Sequence, residues 1–534
     1  MDASLVIING NIYTMDDAHP RAEAVAVYGS RIIAVGENAE VKEMIGPTTR
    51  VIDLQGKTVI PGIIDAHVHF VSYALRSQEV NLDGAPSLME ALRRVAEGVA
   101  RAKPGEWVVG GGWDKNLWDG GGFPSKERLD GVAPDNPVAL RSKDYHTLWV
   151  NSLALFKASI TRKTRNPHGG EIERAPNTGE ATGILKENAV QLVESVIPKP
   201  TVERIEKALK AAIKTAYTLG ITSIHVPEGQ RAFQAFQKLA ARAELGVRVF
   251  MMIPAESLDA AIKVGVVTGF GSEKLRIGVV KLFADGALGS QTAAMLEPYE
   301  GATENRGVIV TSQMTMRKVV AKAVTHGLGV AVHAIGDRAN RMVLNVIEER
   351  KATDAGRSIR YRVEHAQHLN PVDVERFGQQ GVIASMQPSH ISLDMDIVDR
   401  YLGRRSREAY RLRTLLDTGA KLAFGSDSPI MSLDPLLGIY TAVTRRRANG
   451  YPPRGWHPEE RITVREAVRA YTLDAAYASG EENIKGSIER GKLADFVVLS
   501  RNIFEVSEEK ILGTRVEMTV FDGQIVYEAV TSSC

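Results

Sequence analysis

Val59-Ile60-Pro61-Gly62-Ile63-Ile64-Asp65-Ala66-His67-Val68-His69 is an apolar run that ends in two histidines spaced i, i+2. On a strand this spacing turns both imidazoles to one side. Two neutral imidazoles converging at a strand end suit a divalent metal. A His-x-His pair alone is weak, because many are surface accidents. The rest of the chain gives it weight. Four later segments also end apolar runs in candidate ligands: Val279-Val280-Lys281, Val330-Ala331-Val332-His333, Arg362-Val363-Glu364-His365 and Ala423-Phe424-Gly425-Ser426-Asp427.

Outward from these segments, short apolar runs alternate with helical stretches. Strands are expected over 221–226, 247–253, 275–281, 329–333, 360–365, 381–386 and 421–424, which with the His67 run makes eight. Helices are expected over Glu203 to Leu219, Met316 to His326, Arg338 to Arg350 and Arg407 to Thr418. This alternation predicts a parallel (β/α)₈ barrel over 62–480, an α/β TIM-barrel fold. Active sites of such barrels form at the C-terminal strand ends, where all the candidate ligands fall. One histidine there could simply pack in the core; several at matching strand ends fit that explanation poorly.

Residues 71–200 are too long for an ordinary connection between strands one and two. They hold four of the five tryptophans, Trp107, Trp113, Trp118 and Trp149, and the glycine run Gly110-Gly111-Gly112. Two readings stand side by side: a folded insertion leaning over the barrel mouth, or aromatics that build the insertion's own core. On the first reading the glycines bring Trp113 towards the site, and the substrate carries an aromatic or bulky apolar group. The ends, 1–61 and 481–534, read as short strands and turns, with Asp522-Gly523 a strong hairpin signal. They predict one composite β-sandwich domain built from both termini.

The 534 residues, 44% hydrophobic and 24% charged with a net charge of +2, give no electrostatic case for nucleic acid or an acidic membrane. The single cysteine, Cys534, excludes an intrachain disulfide framework and a cysteine metal cage. Neither a signal peptide nor a spanning helix is read, so a cytoplasmic protein is expected. The expected partner is a small-molecule substrate, with at most a second copy in a homodimer.

Asp65-Ala66-His67-Val68-His69, Gly112-Trp113-Asp114, Lys281-Leu282-Phe283-Ala284-Asp285-Gly286, His333-Ala334-Ile335-Gly336-Asp337, Glu364-His365-Ala366-Gln367, Gly425-Ser426-Asp427-Ser428-Pro429 and Gly491-Lys492-Leu493-Ala494-Asp495-Phe496 together resemble the amidohydrolase superfamily. Within it they resemble the branch of N-substituted formamide deformylase and YtcJ-like proteins. The resemblance implies one or two divalent metals, Zn²⁺ first and Mn²⁺ or another next. His67, His69, His333, His365 and Asp427 would be ligands, and Lys281 a bridging carbamate formed with CO₂. If Lys281 is unmodified, it implies a mononuclear site instead. The implied reaction is hydrolysis of an amide or N-formyl C–N bond by a metal-activated hydroxide, with Asp427 as general acid/base. The alternatives are a metal-dependent deaminase of a cyclic amidine or heterocycle, and a catalytically silent barrel scaffold. Trp113, Asp114, His146 and Asp285 are candidate substrate contacts. Glu364 is read as structural or supporting, His225 as a core histidine, and His368 and His390 as loop residues within reach of the mouth.

Overall fold

A computed structural model describes residues 2–119, 121–353 and 359–530; Gly120 and Cys534 lie outside them. Eight strands pair in sequence order: β1 (Ile63–Asp65), β2 (Ile221–Val226), β3 (Arg248–Pro254), β4 (Leu275–Phe283), β5 (Val330–Ala334), β6 (Tyr361–His365), β7 (Ile383–Met386) and β8 (Leu422–Phe424). Every pairing is parallel. Their residues are almost all buried, which is why they read as continuous apolar runs and not as alternating ones. The seam between β8 and β1 is crossed by Ala66 N to Phe424 O at 2.9 Å and Asp427 N to His67 O at 2.7 Å. The sheet is therefore a nearly closed parallel barrel within a mixed α/β fold.

The intervening helices include Val202–Thr218, Gln313–Thr325 and Asp337–Thr353. The helix expected over Arg407 to Thr418 is instead broken. A 3₁₀ segment, Gly403–Glu408, precedes a short helix, Leu412–Asp417, and Tyr410 between them has φ 54°. A left-handed non-glycine residue ends helical propagation there.

Strands from the two ends of the chain pair in one six-stranded sheet, where Phe496–Leu499 lies beside Thr58–Pro61. A four-stranded sheet comes from the N-terminal residues. One buried cluster draws Leu5, Ile7 and Val25 from the smaller sheet and Ile12, Val59, Phe496 and Val498 from the larger. The hairpin Val516–Phe521 to Gln524–Glu528 turns at Asp522 and Gly523, both with positive φ. Asp495 and Asp522 grip the buried Arg248 at the start of β3, with Asp495 Oδ2 2.6 Å from Nε. That clamp sits at the strand's N-terminal end, away from the candidate ligands, and ties the terminal sheet to the barrel.

Residues 74–204 form a separate compact unit. Its six-stranded sheet carries an apolar core on each face. Leu140 and Trp149 point to one, and Ala139, Leu148 and Val150 to the other. This is the period-two alternation of a strand covered on both sides.

Candidate metal centre

Three ligand atoms, one each from His67, His69 and Asp427, lie within 4.8 Å of one another. His69 Nε2 is 3.4 Å and His67 Nε2 3.7 Å from Asp427 Oδ1. The two histidines are not on a strand, since β1 ends at Asp65. They converge because the segment after β1 is pinned to the one after β8. Asp65 Oδ1 accepts from His67 N and Ser426 N, Asp65 Oδ2 accepts from Ser426 Oγ, and His69 N donates to Ser428 O. Asp427 has φ 55° and His365 φ 73°. Left-handed conformations of this kind cost about 1–3 kcal/mol each and cluster at functional sites.

The other imidazoles complete an arc. Ring centroids are 5.1 Å apart for His67 and His365 and 4.5 Å for His333 and His365. Each ring has one nitrogen held by the protein. Glu364 Oε2 takes His67 Nδ1 at 2.5 Å, Gln387 Oε1 takes His365 Nδ1 at 2.8 Å, and Gly286 O takes His333 Nε2 at 3.0 Å. The protein thereby leaves Nε2 of His67, Nε2 of His365 and Nδ1 of His333 outside these hydrogen bonds, as atoms able to serve as ligands. Burial, and then the neighbouring Lys281 charge, lowers His67 to about 3 and His333 to about 4. The rings are therefore neutral donors, the form a cation needs.

Lys281 is buried on β4, and its Nζ has no hydrogen-bond partner. Burial brings its ammonium down to about 8, against the opposing pull of Glu364 and Asp427. Burial likewise raises Asp427 to about 7. An orphaned amine, an uncompensated carboxylate and three oriented imidazoles at one end of a barrel are the donor set that one or two divalent cations fit.

Beneath the arc, Arg362 is completely buried. Its Nε donates to Glu364 Oε1 at 2.8 Å, and its Nη atoms reach His225 Nδ1, Ala66 O and Ser385 Oγ. Burial alone would raise Glu364, but Arg362 and His67 outweigh it and hold the carboxyl well below its usual range. Glu364 therefore orients His67, with Arg362 behind it, while His225 packs in the core against Phe250. Glu364→Gln is expected to weaken metal binding about 10–100-fold with the barrel still folded, read by chelator competition. Unchanged affinity would remove Glu364 from this role.

The four candidate substrate contacts each have partners within the protein. Asp285 would share the face of Lys281 only if β4 continued, but β4 ends at Phe283. Its carboxylate is buried, accepts from the backbone N–H groups of Ala294, Ile335 and Gly336, and lies 3.6 Å from His333 Nε2, so it braces the loops beside that ring. Asp114 caps the turn Lys115–Leu117 through Asn116 N. His146 is exposed and pairs with Glu187 at 3.1 Å, which raises its pKa.

Trp113 is 1% exposed, packs against Trp118, Phe123 and Trp149, and donates Nε1–H to Leu140 O. Trp118 and Trp149 likewise spend their N–H groups on Ala85 O and Ser125 O. The glycine run serves strand contact: a Cβ on Gly110 would lie 2.2 Å from Val80 O, and one on Gly111 2.9 Å from Arg141 O. The tryptophans are core, and the expectation of an aromatic substrate built on them falls. Trp113→Ala should cost about 3–5 kcal/mol of stability, read by denaturant unfolding, and change no substrate's KM selectively.

Comparison with known proteins agrees with this chemistry. A family model described as the amidohydrolase family matches residues 50–527. Protein LONG AFTER FAR-RED 3 of Arabidopsis thaliana is 38% identical, with 94% of this chain and 88% of that protein covered. N-substituted formamide deformylase of Arthrobacter pascens is 29% identical over 99% of both chains. A solved structure of an uncharacterised metal-dependent hydrolase from Pyrococcus furiosus superposes with a TM-score of 0.78. It is 30% identical, covering 94% of this chain and all of the other.

Proposed function

The chain belongs to the amidohydrolase family, a metal-dependent hydrolase, and from that premise we propose that it cleaves a carbon–nitrogen bond of a small amide or N-formyl compound. The observation that carries this reading is the convergence of His67, His69 and Asp427 within 4.8 Å, beside a buried Lys281 amine without a hydrogen-bond partner. His67, His69, His333, His365 and Asp427 would hold Zn²⁺ or Mn²⁺, and Lys281, carboxylated by CO₂, would bridge two such ions. When bound, the metal supplies a Lewis acid that polarises the scissile carbonyl and lowers the pKa of water.

The chain's own groups supply the rest. Asp427, raised to about 7 by burial, can take a proton from the attacking water. As the new C–O bond forms and the C–N bond breaks, the same carboxyl delivers that proton to the leaving nitrogen. Glu364 and Gln387 keep His67 and His365 in one tautomer throughout. The formamide deformylase relative supports the choice of bond. The two terminal sheets, read as one composite sandwich, would hold the barrel's lower end rigid.

The test is hydrolysis of N-formyl amines, N-acyl amino acids and cyclic amides by protein loaded with zinc or manganese. Cleavage of at least one class, abolished by chelation and restored by metal, is the expected result. Turnover that survives complete chelation would overturn the mechanism.

A further inference from the structure

The helix Pro388–Leu402 starts two residues after β7 ends, so its first turn stands at the barrel mouth. His390 in that turn is buried, and its Nε2 lies 3.6 Å from Asp427 Oδ2 with no hydrogen-bond partner. Asp394 follows by four residues, so it lies on the same helical face, with Cβ atoms about 5–6 Å apart.

The Asp394 carboxylate is half-buried and held from one side only. Tyr410 Oη donates to Oδ2 at 2.5 Å, and Gln367 Nε2 donates to the same oxygen at 2.9 Å. Gln367 comes two residues after His365, which anchors the carboxylate above the ends of β6 and β7. Both anchors are neutral. Among the described residues no lysine, arginine or histidine nitrogen lies within 4.0 Å of Asp394, whereas Asp396 on the same helix pairs with Arg447 at 2.6 Å. Oδ1 carries no hydrogen bond among the described residues.

A carboxylate withdrawn from water is ordinarily paired with a cation, because its desolvation otherwise goes uncompensated. Here the protein orients the group through Oδ2, leaves Oδ1 without a hydrogen bond and provides no ion-pair partner within 4.0 Å among the described residues. We propose that Asp394 is a specificity-determining residue that receives a protonated amine of the substrate on Oδ1, next to the bond that Asp427 serves. This deepens the hydrolase reading and rests on it for the fate of the bound molecule. The substrate class that follows is an amide or formamide carrying an ammonium group close to the scissile bond. Burial pushes the Asp394 carboxyl upward, a cost that an ammonium partner would offset.

The experiment is equilibrium binding at neutral pH to the metal-loaded, full-length protein. Benzylamine, benzyl alcohol and benzoate serve as probes of nearly equal shape, read by calorimetry. Benzylamine should bind at least about 10-fold more tightly than benzyl alcohol, with benzoate weakest. Asp394→Asn should bring benzylamine level with benzyl alcohol at unchanged metal content, and Asp394→Glu should keep part of the preference. Equal binding of amine and alcohol to the wild type, or no binding of the amine, overturns the proposal without need of any variant. So does an amine preference that survives in Asp394→Asn, which would place the amine on another group. If the amine preference holds while no amide is hydrolysed, it is the hydrolase reading that fails and the recognition site that stands.

Discussion

Replacing His67 and His69 together by alanine is expected to strip bound divalent metal and to lower C–N hydrolysis by about 10³-fold or more. The size follows from what the cation supplies. Charge stabilisation at a polarised carbonyl is worth several kcal/mol, and each 1.36 kcal/mol is a decade in rate. The structure makes the loss specific to the site. Both rings reach Asp427 Oδ1, at 3.7 and 3.4 Å, from a segment whose backbone is pinned independently by Asp65 and Ser428. Removing the imidazoles therefore leaves the segment's anchors intact, and secondary structure by circular dichroism should not change. Metal content by elemental analysis and rate should fall in parallel, and added zinc should restore neither. A double variant that keeps full activity without metal would defeat the hydrolase mechanism, and one that keeps its metal would show that the ligands lie elsewhere.

The barrel is legible in the sequence because parallel strands covered on both sides leave a plain mark, a short apolar run ending at a polar residue. The runs that lead to Lys281, His333, His365 and Asp427 carry it. The candidate site residues at the run ends, Lys281, His333, His365 and Asp427, are visible for the same reason. Period-two reasoning fails where the strand stops. It places Glu364 away from His365, yet both serve the same arc, because φ 73° at His365 breaks the pleat. It places Asp285 on the face of Lys281, although β4 ends two residues earlier. Gln387, which orients His365, and Arg362, which supports Glu364, give no separable signal. A buried arginine on a strand reads as a surface residue until its partners are known. The aromatic insertion is ambiguous in sequence for a different reason: a tryptophan that walls a pocket and one that fills a core have the same signature. Only the hydrogen bond from Trp113 Nε1 to Leu140 O, inside a sheet with cores on both faces, separates the two.

Lys281→Ala is the second large expected loss, and it discriminates between one metal and two. The Lys281 amine is buried without a hydrogen-bond partner, and a free ammonium cannot bind a cation. A buried amine with no hydrogen-bond partner costs about 1–3 kcal/mol. Carboxylation would resolve this. The neutral amine would add to CO₂, forming an N–C bond and losing one proton, to give an anionic oxygen donor. Burial favours the first step, because holding the ammonium down to about 8 enlarges the neutral fraction that can react near neutral pH. The expected result for Lys281→Ala is loss of one of two metal equivalents and of most activity, by about 10²–10³-fold on the same several-kcal/mol scale. Short carboxylates such as formate or acetate should restore part of both by occupying the space of the missing donor. ¹³C-labelled CO₂ should give a carbamate signal in the wild type and none in the variant. Lys281→Met, which fills the space without a donor, should lose metal as alanine does but resist rescue. If the wild type holds a single metal and Lys281→Ala retains it, the bridge is wrongly assigned. Lys281 would then be a buried amine that orients the substrate, and its loss would show in KM ahead of metal content.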